Sequence, residues 1–257
     1  MKKTRLLLLI PALFSITACG LGSEIKAEKA EEIAENMAEM DPPENIEMKF
    51  SGSETNDNEK IKFEYVYKQN ADNEIYAKIN VTGSDSDDNV KGECYLVNND
   101  EYGKVAYAKM YDYSAKKDVV EVITYKNNAS VFDSEIAPIL DMVTEVPQSY
   151  YIDADELKLA IASYEAQAKT DDLLTVKYYS KGDNNLTIKA TYKGSKTSTT
   201  PMNGTITITF DKGYLTSYSA SIKYYLTDKT YSTDFKGTVT YPKSLKISLP
   251  SDWENYL

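Results

Sequence analysis

Apolar and polar positions change their period several times along this 257-residue chain. After Ser23, the residues Ile25, Ala30, Ile33, Ala34, Met37 and Met40 recur near helical spacing between Glu28, Glu31, Glu32 and Glu35. That pattern predicts an amphipathic helix with Ser23 as N-cap and Asp41-Pro42-Pro43 as its stop. From Ile46 to Tyr125 the period is two. Ile61, Phe63, Tyr65 and Tyr67 alternate with Lys60, Lys62, Glu64 and Lys68, and Ile75, Ala77, Ile79 and Val81 alternate with Glu74, Tyr76, Lys78 and Asn80. Polar breaks at 53–59, 69–73, 83–89 and 98–103 separate these runs, which read as an antiparallel meander with one packed face.

Ser134 to Ala168 interrupts the alternation. Ile136, Ile139, Leu140 and Val143 predict a short helix. Leu157, Leu159, Ala160, Ile161 and Tyr164 predict a second, with Asp153 and Glu156 as its capping pair. Strands resume from Leu173. The clearest is Thr205-Ile206-Thr207-Ile208-Thr209-Phe210, followed by an Asp211-Lys212-Gly213 turn. Tyr218, Ala220, Ile222, Tyr224 and Leu226 share the face of the next, Phe235, Val239 and Tyr241 mark another, and Ile247 with Leu249 predicts a short last strand. The order of helix, strands, helices and strands leaves no room for alternating strand and helix units. It predicts an α+β fold built on one large antiparallel sheet.

The first twenty residues follow a different logic. Lys2, Lys3 and Arg5 precede an apolar run from Leu6 to Phe14 that is too short to span a bilayer permanently. Ile16-Thr17-Ala18-Cys19-Gly20 then resembles a bacterial lipobox. The resemblance implies cleavage between Ala18 and Cys19 and a diacylglyceryl lipid on Cys19; the plainer reading is a secretory peptide that contains a cysteine. Two acyl chains suffice for stable anchoring, so the expected location is the extracytoplasmic face of the cell membrane. The domain reading is a signal peptide over 1–18, a lipidated tether over 19–23 and a single domain over 24–257. Cleavage leaves Cys94 as the one remaining cysteine, and its place beside Leu96 on a strand face predicts a buried thiol.

Composition narrows the function classes. Histidine is absent, and the 29 basic residues include one arginine, Arg5, so the commonest general base and the bidentate guanidinium fork are missing from the domain. A net charge of −11 argues against a nucleic-acid partner. Asp85-Ser86-Asp87-Asp88-Asn89 fails as a calcium loop because Val90 and Leu96 stand where glycine and a carboxylate are needed. Ser114-Ala115-Lys116-Lys117 has the Ser-x-x-Lys spacing of penicillin-recognising enzymes without their Lys-Thr-Gly. No cofactor, metal site or catalytic residue is expected. Tyrosines number 22 against six phenylalanines. Strand propensity and a binding surface both account for them, and the pairs Tyr178-Tyr179 and Tyr224-Tyr225 must split between opposite faces.

The lipobox, opening helix, strand blocks, mid-chain helices and terminal Ile247-Ser248-Leu249-Pro250 resemble the layout of half-barrel lipoproteins related to the periplasmic lipoprotein carrier and to lipid-carrying surface lipoproteins. The resemblance implies a curved antiparallel sheet, with the N-terminal and mid-chain helices on its concave face and an apolar cavity between. It places Ile33, Met37, Phe63, Tyr65, Ile79, Ile206, Ile208 and Ile222 in the cavity lining. The carrier's cavity arginine has no counterpart here. The expected function is a membrane-anchored, non-enzymatic lipoprotein that binds a hydrophobic or amphipathic ligand and carries lipid. The alternative is a surface interaction or sensor lipoprotein that contacts a protein or glycan through a tyrosine-rich acidic face.

Overall fold

The structure, a computed structural model, describes residues 21–37, 43–56, 59–84, 89–136, 154–199, 201–226 and 229–257. Ala18, Cys19 and the leader lie outside these residues. So do Met40, Asp85 to Asp88, the stretch holding Ile139, Leu140 and Val143, and the capping residue Asp153.

Period-two alternation becomes strand nearly everywhere it was read. The strands are β1 (Ser23–Ile25), β2 (Ile46–Asn56), β3 (Glu59–Gln69), β4 (Ile75–Thr82), β5 (Val90–Asn99), β6 (Gly103–Asp112) and β7 (Lys117–Thr124), then β8 (Leu174–Gly182), β9 (Asn185–Lys193), β10 (Met202–Asp211), β11 (Tyr214–Tyr225) and β12 (Thr230–Thr240). Among the described residues these twelve form one antiparallel sheet in the order β1-β8-β9-β10-β11-β12-β2-β3-β4-β5-β6-β7. Two meanders, β2–β7 and β8–β12, are therefore fused where β12 pairs with β2, with Val239 opposite Met48. The sheet stays open, so the fold is an α+β curved half-barrel.

Local chemistry explains the connections. Asp211 pairs with Tyr214 across a two-residue loop, and both Lys212 and Gly213 have positive φ, the geometry that matches strand twist in a tight hairpin. Between β3 and β4, Asn70 Oδ1 accepts from the backbone N–H groups of Asp72 and Glu74. Nearby, Tyr67 Oη donates to Gln69 Oε1 at 2.7 Å, which satisfies a buried phenol.

The helices sit on the sheet's apolar face in two packed clusters, one over β8–β10 and one over β12 and β2–β4, which meet at Leu215. Helix α1 (Ala27–Asn36) buries Ala30, Ile33 and Ala34, and α3 (Ala154–Thr170) buries Leu157 and Ile161. Together with Met37 they pack on Tyr178, Leu186, Ile188 and Phe210 of β8–β10. In the second cluster, α2 (Tyr125–Val131) and the π-helical turn Phe132–Ile136 bring Phe132 against Ile46, Met48, Tyr67 and Ile75.

Five sequence expectations change. The break expected over 53–59 is strand as far as Asn56, because Ser53 to Asn56 pair with β12 and β3 on either side. Ser23 does not cap a helix: Ser23–Ile25 pairs with Tyr178–Ser180, and the helix starts at Ala27. Tyr125 begins a helix instead of ending a strand, because Thr124 Oγ1 accepts from Asn127 N–H as an N-cap. Ile247 and Leu249 are not in a strand. Their segment runs to the short helix Trp253–Tyr256 on the far face of the β4–β7 region, where Ile247 and Trp253 are buried on Val97, Val105 and Tyr107. Cys94 is exposed, not buried.

Candidate ligand-binding face

Beside these two clusters, the apolar face of the sheet is floored by aromatic rings. Register fixes which residues share it. One row runs from Ile206 through Ala220, Phe235, Gly52 and Phe63 to Val81. The next runs from Ile208 through Tyr218, Gly237, Phe50 and Tyr65 to Ile79. It continues through Gly92 and Met110 to Val119. Neither row carries a charged side chain.

Glycines let the rings lie flat. A Cβ at Gly52 would come within 2.7 Å of Phe63 Cζ, a Cβ at Gly237 would collide with the Phe50 ring, and one at Gly92 with the Met110 sulfur. Large side chains thus fill the space over small ones in the neighbouring strand. Phe50 stacks on Phe235 at 5.6 Å and on Tyr65 at 6.3 Å, while Phe63 and Tyr218 approach Phe235 at 5.9 and 5.3 Å. All five rings are partly exposed. Towards β7 the cover thins: Ile79 is 37% exposed, Met110 44% and Val119 48%. Contiguous exposed apolar surface of this kind marks a binding surface.

Phenolic hydroxyls rim the first cluster. Burial raises the pKa of Tyr192 and of Tyr218, and the nearby phenols of Tyr164 and Tyr224 add to both shifts. The hydroxyls of Tyr192 and Tyr218 therefore stay neutral and able to donate a hydrogen bond at any physiological pH. An apolar chain can lie on the rings while a polar group reaches the hydroxyls. Cys94 opens onto the same face opposite Ala77 and Ala108, but surrounding atoms, then the charge of Glu93, push its pKa up and keep it a thiol.

Six of the eight sequence-derived lining residues occupy this face: Phe63, Tyr65, Ile79, Ile206, Ile208 and Ile222. Ile33 and Met37 do not line an opening. Each is 2% exposed inside the helix–sheet cluster, where Ile208 packs beside them. The sequence reading missed Phe50, Tyr218, Phe235 and Met110. Their signal was the glycine one strand away, which shows only once register is known. Adjacent tyrosines do split: Tyr178 is buried on the apolar face and Tyr179 lies on the other.

No family model matches the chain, and no curated protein matches it. A solved structure to which it is similar is a DUF1329 family protein from Desulfovibrio piger, at 11% identity and a TM-score of 0.24, covering 86% of this chain and 95% of that one. Among the described residues, no helix is long and apolar enough to cross a membrane.

Proposed function

We propose that this protein is a non-enzymatic lipoprotein, held at the extracytoplasmic face of the cell membrane by a diacylglyceryl lipid on Cys19, that binds a hydrophobic or amphipathic ligand and carries lipid. The observation that supports the ligand is the uncharged aromatic floor of Phe50, Phe63, Tyr65, Tyr218 and Phe235, partly exposed beside two packed clusters. A soluble protein stabilises its sheet by covering such rings. Here a ligand's acyl chain supplies the cover, and the hydroxyls of Tyr164, Tyr192, Tyr218 and Tyr224 take its polar end.

The test is organic extraction of the full chain after purification from a lipid-containing host, with native mass spectrometry on the same sample. Non-covalent lipid near one-to-one supports the carrier. Phe63→Ser with Phe235→Ser should release it while far-UV circular dichroism is unchanged. Equal lipid in both proteins, or none in either, would sink the reading. The anchor is tested separately with a clickable fatty acid: label incorporation should disappear in Cys19→Ala.

A further inference from the structure

Alternation sends a second set of residues to the opposite face, and there the sheet is hollow. A twisted sheet is saddle-shaped, so each face is concave along one diagonal. Across β9–β12, β2 and β3 the polar face forms an open trough of about 1520 Å³. Its floor is ordered by register. One rank reads Lys189, Thr207, Ser219, Lys236, Ser51 and Glu64, one residue from each of six adjacent strands. The neighbouring rank reads Thr205, Ser221, Asp234, Ser53 and Lys62. At roughly 4.8 Å between strands, a rank presents a polar group at every step over about 24 Å.

The chemistry of these ranks is specific. Hydroxyls both donate and accept, which suits a partner that is itself hydroxylated. Some already pair, as Thr205 Oγ1 does with Thr191 Oγ1 of β9 at 3.4 Å. Charge adds a second constraint. The trough is lined by Lys62, Lys181, Lys189, Lys223 and Lys236 against Glu64, Asp211 and Asp234. No ion pair joins any of the five lysines to a described carboxylate, and Asp234 is already engaged by Ser221 Oγ at 2.6 Å. A chain of net charge −11 thus places five ammonium groups without an ion pair against three carboxylates in this hollow.

We propose that the trough binds a linear anionic glycopolymer: sugar or polyol units bearing carboxylate, sulfate or phosphate, laid across the strands. Hydroxyl ranks hydrogen-bond the units and the lysines neutralise the acid groups. The site lies on the opposite side of the sheet from the aromatic floor, so it stands or falls independently of the lipid reading.

The test is isothermal titration of the detergent-solubilised full chain with dextran sulfate, neutral dextran of equal length, poly(dT) and inorganic sulfate. Dextran sulfate should bind at least about tenfold more tightly than either dextran or poly(dT), and raising salt should weaken it by a similar factor. Joint substitution Lys189→Ser, Lys223→Ser and Lys236→Ser should weaken it by about tenfold or more, and the same positions changed to Arg should restore it. Lys104→Ser with Lys117→Ser, away from the trough, should change nothing. Polygalacturonate and poly(glycerol phosphate) then identify the preferred acid group. Equal binding of neutral dextran, equal binding of poly(dT), or a triple-serine variant that binds like the parent while keeping its circular dichroism would each overturn the proposal.

Discussion

The two meanders share one sheet and one alternation, yet they treat their second faces in opposite ways. In β4–β7 the second face carries Tyr76, Tyr95, Tyr107, Val97 and Val105, and the C-terminal segment covers it with Ile247 and Trp253. In β9–β12 the second face carries serines, threonines and lysines and stays open. The composition of a face decides whether it recruits chain as cover. The β4–β7 region is thus covered on its second face, while its first face stays exposed towards β7 at Met110 and Val119. The second half keeps one face for structure and one for solvent or ligand.

That contrast can be broken most sharply at Trp253. Trp253→Ala removes the centre of the cover, where its ring meets Tyr102 edge-on at 5.5 Å, and should cost roughly 4 kcal/mol in urea unfolding. An effect below about 1 kcal/mol would mean that the tail is decoration. Ile188→Ala removes a buried side chain beneath the helices of the other half and should cost roughly 3 kcal/mol.

A pH series compares the halves next. Burial, reinforced by the charge of Glu93 at Tyr95 and of Glu165 at Tyr178, raises both phenols far above the ordinary value of 10.0. The folded protein therefore holds a proton that the unfolded chain releases. The stabilisation is complete below pH 10 and declines as pH climbs past it. Urea midpoints taken upward from neutral pH should fall steeply above 10, and Tyr95→Phe should flatten part of that slope; an unchanged slope would remove Tyr95 from the account. Smallest of all should be Thr207→Ala on the open face, within about 0.5 kcal/mol. A cost several times larger would show that something in the chain covers the trough.

The sheet was legible because its signal is local. Thr205 to Phe210 with the Asp211-Lys212-Gly213 turn gives strand, face and hairpin within nine residues, and the structure reproduces all three. What was misread depended on distant partners. Ser23-Glu24 is a good helix opening in isolation, but β8 offers Ile25 an edge beside Tyr178, and the ladder wins. Ile247 and Leu249 alternate like a strand, but their partners are side chains on β5 and β6 rather than a neighbouring backbone. Exposure of Cys94 follows from a face left bare at β5, which no local pattern encodes. The apolar face was half legible for the same reason. Alternation placed Phe63 and Tyr65 on it, whereas only register sets Phe50 over Gly237 and Met110 over Gly92.

The seam between β12 and β2 bears on how the chain is made. Met48 finds Val239 only after the whole β2–β7 meander and β8 to β11 have been synthesised. Until then the β2–β7 meander can assemble, but β2 presents an unpaired edge with its apolar side chains beside it. Such edges invite pairing with other chains, and closing a contact this distant in sequence is slow. The Trp253 cover is made after every strand of the sheet. Synthesis of β12 is therefore the step that pairs the β2 edge, and synthesis of the Trp253 segment the step that covers the far face of β5 and β6.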